Sequence, residues 1–280
     1  FDEALCEQGR NFGNKIWNAY RLINGWTVDE TLAQSDNNAL AVEWFRNAFA
    51  KALAEIEDNF SSYRISEAFM RIYKLFWDDF SGWYLEIVKP AYGSPADRKT
   101  IDATRHYFDM LMRLIHPFMP FVTEEIWQDL TPRAKGESIM YAPAPAVEQW
   151  DEALLTRFEF VKEAITDIRN VRKQKNIAQK QPLTLKVIVD ENYPASYAPV
   201  IVKMGNISAI ETVTEKDPAA AAFIVKTTQY FVPLGDNIDR EAETKRLTAD
   251  LEYLEGFLAS VMKKLSNERF VNSAPEKVVA

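Results

Sequence analysis

One cysteine, two histidines and nine glycines in 280 residues bound what chemistry this chain can carry. Cys6 alone cannot close an intrachain disulfide, and Cys6 with His106 and His116 is too small a set for a Cys/His metal cluster. Neither G-x-x-x-x-G-K-S/T nor G-x-G-x-x-G occurs, so no phosphate-cradling loop and no nucleotide cofactor of its own are expected. No apolar run approaches the roughly 18 to 20 residues of a membrane-spanning helix. The opening FDEALCEQGR is acidic where a secretory signal would be basic. These absences make a cytoplasmic protein without membrane contact the expectation.

What is present is an ordinary globular composition, 47% hydrophobic and 26% charged, long enough for about two domains. The net charge of −8 leans against nucleic acid, because phosphate affinity comes from Lys and Arg displacing counterions. The local distribution overrules that average. Between Ile168 and Lys180 stand Arg169, Arg172, Lys173, Lys175 and Lys180 with no acidic residue among them.

Periodicity predicts a mainly α protein. Phe1, Leu5, Phe12, Ile16, Ala19, Tyr20 and Ile23 share one helical face, with Asp2, Glu3 and Glu7 near its start and Arg21 near its end, as the helix dipole favours. Further helices are predicted over about 38–60, 66–89, 99–115, 120–130 and 151–175, with short connections such as Tyr92-Gly93-Ser94-Pro95. Short connections between amphipathic helices indicate an antiparallel bundle. After Gln181-Pro182 come β-branched runs at 183–189, 209–213 and 222–225, read as a small α/β appendix. From Asn237 a last helix carries Leu247, Leu251, Leu254, Leu258, Val261 and Leu265 in a heptad seam. The organisation read is therefore a bundle over 1–150, a basic helix closing it over 151–182, the appendix over 183–236 and one strand of a coiled coil over 237–280. A lone seam facing water should pair, with a second copy for instance, or fray over 272–280, its antiparallel mate being expected beyond residue 280.

On the first helix Arg10, Asn14 and Arg21 lie within about 40° of one another, Trp17 borders them, and Lys15 and Asn18 extend the polar strip. Unpaired RNA bases are read by stacking on aromatic or Arg planes and by hydrogen bonds to their edges, which these side chains can supply. Packing of Trp17 against a neighbouring helix is the plain alternative. Gly13, costly within a helix, calls for a close approach by RNA or by another helix. The basic run at 169–180 suits phosphates or a solvated face. Asp78, Asp79 and Glu86 have no His, Ser or Cys in a catalytic arrangement, and His116 reads as a helix-terminal structural residue. Met262 to Ser266 superficially resembles a KMSKS loop, but Leu265 belongs to the seam.

Three segments carry a resemblance. Gly9-Arg10-Asn11-Phe12-Gly13-Asn14-Lys15-Ile16-Trp17-Asn18-Ala19 looks like the helix after the KMSKS loop in the valine, isoleucine and leucine synthetase group. Residues 76–86 and 116–127 resemble that group's next bundle helices. The tail at 239–254, 264–271 and 274–279 is similar to the coiled-coil arm of bacterial valyl-tRNA synthetases, so the match spans essentially the whole chain. The resemblance implies a class Ia anticodon-binding bundle and an arm that supports the tRNA outer corner. It implies valine tRNA and the rest of a synthetase chain as partners. Carried over, Arg10, Asn14, Lys15, Trp17, Asn18 and Arg21 are anticodon-side candidates, and Arg169, Arg172, Lys173 and Lys175 phosphate contacts. The family's H-x-G-H and true KMSKS motifs are missing, so its ATP and magnesium would belong to a catalytic domain elsewhere, and this region is expected to be inactive alone. An isoleucyl- or leucyl-type fragment, a self-contained enzyme and a helical interaction scaffold are the competing readings.

Overall fold

The computed structural model describes residues 3–234 and 240–266, the side chains of 5, 240–243, 245–247, 250, 264 and 265 excepted. The seam positions Leu247 and Leu265 and the distal tail at 272–280 therefore lie outside the described side chains and residues.

Helix α1 (Glu3–Asn24) has Glu3 in its first turn and Arg21 in its last, and buries Phe12, Ile16, Ala19, Tyr20 and Ile23. A short strand β1 (Val28–Asp29) leads to α2 (Asp36–Ser61), whose first turn is capped by Ser35 Oγ accepting from the Asn38 amide at 3.3 Å. The single helix expected over 66–89 is instead three successive pieces, α3 (Ile65–Lys74), a π-helical segment (Leu75–Tyr84) and α4 (Leu85–Val88). The reason lies in the spacing of its core residues. Leu75 and Phe80, and Phe76 and Ser81, are buried five apart, a separation that an α-helix turns to different faces and an i→i+5 turn brings into line. Strand β2 (Ala96–Asp97) pairs in parallel with β1 and ends on Asp97, which caps α5 (Arg98–Ile115) by accepting from the Thr100 amide at 2.8 Å. Helix α6 (Pro120–Leu130) begins on proline, which needs no amide partner there. An irregular return leads to α7 (Glu152–Gln174), pinned where buried Asn47 accepts from the Asp151 amide at 2.7 Å.

Aromatic rings fill the bundle: Phe45 sits 5.3 Å from Phe80 and 4.9 Å from Tyr84, and Trp44 stacks on Phe158 at 4.1 Å. Beyond α7 the chain forms β3 (Leu183–Ile188), α8 (Ala198–Gly205), β4 (Ile207–Thr212), β5 (Ala220–Val225) and β6 (Thr228–Pro233). The sheet order is β4-β3-β6-β5, with β3 and β4 parallel through α8 and β3 and β6 antiparallel. The sequence reading missed β6 and α8; β6 follows β5 after only Lys226 and Thr227, with Lys226 at φ +56°. The appendix is not set apart from the bundle, since the described residues through Val232 form one compact unit. Lys203 of α8 donates to the Ile87 carbonyl at 2.5 Å at the end of α4, and a Cβ on Gly205 would stand 3.3 Å from Ile168 Cδ1 of α7. Burial beside Lys89 holds the Lys203 amine below its ordinary range.

The second unit carries α9 (Arg240–Leu265). Leu251, Leu254 and Leu258 of the heptad seam are 56%, 59% and 59% exposed, with Phe257 and Met262 exposed on the same helix.

Candidate nucleic-acid interface

The polar strip of α1 stands on the surface because the opposite face is spent on the core. Arg10, Asn14, Asn18 and Arg21 are exposed, and Arg10 pairs with Glu7 at 3.4 Å, a solvated contact of little energetic weight. Trp17 is 40% exposed, neither a core residue nor free, and its ring lies 5.4 Å from that of Tyr20. The two rings line a cleft of about 260 Å³ with Glu125, Gln128 and Asp129 of α6. None of these three was among the site candidates of the sequence reading, which treated α6 only as a bundle helix. At Gly13 the close neighbour is the connection before α6: an added Cβ would stand 3.3 Å from Met119 Cε, the end of a flexible side chain. Lys15 departs from the strip; it is half-buried, its ammonium 5.3 Å from the centre of the Trp77 ring.

At the end of α7, Arg169 and Lys173 are exposed and Lys175 is half-buried. The Arg169 guanidinium sits 5.6 Å from the Trp83 ring. Arg172 corrects the expectation. It is 1% exposed, and its two terminal nitrogens donate to four carbonyls: Ala178 at 3.0 Å, Gln181 at 2.7 Å, Gly205 at 3.0 Å and Asn206 at 2.9 Å. Burial depresses its basicity from the ordinary arginine range. A phosphate cannot reach this side chain, which fastens the turn after α7 to the junction of α8 and β4. The signal was available, because Arg172 lies four residues beyond Ile168 and seven beyond Ile165, on the apolar face of its own helix.

The structure therefore divides the candidates. Trp17, Asn14, Asn18, Arg10 and Arg21 share the outer face of α1; Arg169 and Lys173 belong to the end of α7; Lys15 and Arg169 each lie over a tryptophan of the π segment. Of the carboxylates singled out as acid/base alternatives, Asp79 and Glu86 are engaged in ion pairs. Asp79 faces Lys162 at 3.4 Å and Arg71 at 3.7 Å, and Glu86 pairs with Lys89 at 2.6 Å. Burial raises the Asp79 carboxyl above its ordinary value despite the opposing pull of Lys162 and Arg71. His116 ends α5, its Nδ1 2.8 Å from Thr123 Oγ1. Among the described residues no three His, Cys, Asp or Glu side chains converge to hold a metal ion, and no helix is long and apolar enough to cross a membrane.

A helical bundle with an aromatic-lined cleft and exposed cations on two of its helices is the frame of an RNA-binding domain. Residues 42–189 match the anticodon-binding domain of tRNA ligases, and residues 239–280 match the valyl tRNA synthetase tRNA binding arm. The chain belongs to the family of tRNA-ligase anticodon-binding domains. Over its whole length it is similar to valine–tRNA ligases: 54% identical to that of Parabacteroides distasonis over 279 residues, 53% to that of Phocaeicola vulgatus over 279 and 53% to that of Bacteroides thetaiotaomicron over 281. Each alignment covers 100% of this chain and 32% of the relative, so the chain spans about a third of the length of these proteins. It is homologous to their anticodon- and tRNA-binding region.

Proposed function

We propose that this chain binds valine tRNA for an enzyme that joins valine to that tRNA at the expense of ATP. The observation that carries the reading is the coincidence of the two tRNA-directed family matches with an exposed Trp17 amid Asn14, Asn18, Arg10 and Arg21. Arg169 and Lys173 grip phosphate, with Lys175 beside them, while the α1 strip meets the anticodon side. The chemistry with ATP and magnesium is assigned to other parts of the enzyme, which acts in the cytoplasm. The exposed leucines of α9 pair with a second apolar helix, supplied in isolation by another copy, since burying one leucine fully is worth about 1.5 to 3 kcal/mol. Sedimentation of the isolated chain tests that pairing, and a strict monomer at high concentration refutes it.

A binding titration over a range of salt, with valine tRNA beside other tRNAs, tests the main reading. The expected result is tighter binding of valine tRNA at every salt concentration. Equal affinity for all tRNAs would defeat the assignment.

A further inference from the structure

The α1–α6 cleft faces its occupant with acceptors. Glu125 and Asp129 stand one turn apart on α6, both exposed, and among the described residues neither is tied up by an ion pair or a side-chain hydrogen bond. Gln128 turns its amide nitrogen elsewhere, donating to Glu124 Oε1 at 2.7 Å and to the Glu137 carbonyl at 2.6 Å. Tyr20 already accepts at its hydroxyl from Asn24 Nδ2, at 3.1 Å. Beside these acceptors lies the partly exposed ring of Trp17. A ligand suited to the cleft is flat, carries N–H donors on one edge, and has no negative charge at that edge.

We propose that the cleft receives one unpaired base of the tRNA, stacked on Trp17, and that Glu125 and Asp129 select a base bearing an exocyclic amino group. The proposal rests on the tRNA-binding reading above and names the chemistry of one of its contacts. Ionised carboxylates only accept hydrogen bonds, so they bond the amino group of cytosine or adenine; uracil puts a carbonyl where cytosine has that amino group. A phosphate is repelled by the same pair, and the nearby α1 cations Arg10 and Arg21 are the groups that attract it. The genetic code supplies the matching ligand: valine codons begin with guanine and uracil, so their anticodons carry cytosine and adenine, each with an amino group.

The experiment measures binding of valine tRNA transcripts to the wild-type protein and to the Glu125→Gln, Asp129→Asn and doubly substituted variants. Two further transcripts replace the anticodon cytosine by uracil or the anticodon adenine by unsubstituted purine. Both carboxylates are exposed, so folding survives their replacement, and circular dichroism checks this. In the wild type one of the two base changes should weaken binding roughly tenfold or more, as expected for a lost base-edge contact. In the double variant the same change should cost almost nothing. Trp17→Ala should weaken every transcript and shrink the same preference. A base preference that persists undiminished in the double variant overturns the proposal alone. No preference for valine tRNA in the wild type overturns the functional reading and the proposal with it. If an arginine-rich peptide binds through Glu125 and Asp129 while their replacement leaves tRNA binding untouched, the cleft belongs to a protein partner and the proposal fails.

Discussion

Replacing Arg172 should damage the fold and leave the electrostatics of RNA binding alone. The guanidinium satisfies four carbonyls, of which Gly205 belongs to a buried residue and those of Ala178 and Asn206 to exposed ones that water can reach. An orphaned buried polar group costs about 1 to 3 kcal/mol, and the emptied volume adds to it, while release from burying a cation returns part. The expected net loss for Arg172→Ala is about 3 to 5 kcal/mol, and for Arg172→Lys, which keeps the charge but not the planar fork, about 1 to 3 kcal/mol. Urea denaturation reads this as a lower midpoint at constant slope. Under conditions where the variant is folded, the slope of log affinity for tRNA against log salt should match the wild type. A midpoint changed by less than about 0.5 kcal/mol, or a salt slope flattened by about one phosphate contact, would refute the argument that this arginine is structural.

Three further outcomes follow from the same geometry. Lys173→Ala should lower the salt slope by about 0.7 to 0.9 and weaken all tRNAs alike, with a stability change within about 0.5 kcal/mol, since the side chain is exposed. Gly13→Ala should raise stability by about 0.5 to 1 kcal/mol from helix propensity, because the crowding atom is the terminal methyl of flexible Met119; a lower melting temperature would mean that this methyl cannot give way. Asp79 has a raised folded-state value, so its protonated form is the one the fold favours. Its contribution is fully present below the unfolded carboxylate value and is lost as pH rises through the folded one. The stability of Asp79→Asn relative to wild type should therefore improve as pH climbs from about 3 to 6, and a constant difference across that range would contradict the burial argument.

How far the sequence could be read depends on whether a residue's surroundings come from its own helix. The apolar face of α1 from Phe12 to Ile23 and the bounds of α6 follow from local period and from Pro120, and both are found as expected, while Phe1 and the Leu5 side chain lie outside the described residues. The π segment was missed because a 3.6-residue template has no place for pairs buried five apart. Arg172 was misassigned because its charge was weighed before its position; the carbonyls that hold it come from a turn and from α8, over thirty positions away in the case of Gly205 and Asn206. Strand β6 was overlooked although its neighbour β5 ends only two residues before it; its other partner, β3, lies about forty-five residues earlier. The base-sized cleft was illegible for a related reason: Trp17 and Glu125 meet only once α1 and α6 have packed. On α6 alone, Glu125 and Asp129 are ordinary surface acids.

The π segment between α3 and α4 carries surplus backbone. A π turn holds one residue more than an α turn, and that surplus can pass to the next turn by exchanging hydrogen bonds one at a time, with both ends of the helix fixed. Trp77 near one end of the segment bears Lys15, and Trp83 near the other bears Arg169. Drawing either cation off its ring toward RNA would remove one contact of that tryptophan, while Tyr73 still stacks on Trp77 at 5.4 Å and Lys162 stays 6.0 Å from the Trp83 ring. Amide exchange across 75–84 that quickens or slows as a block on adding tRNA would show that the two cation contacts are linked through the segment.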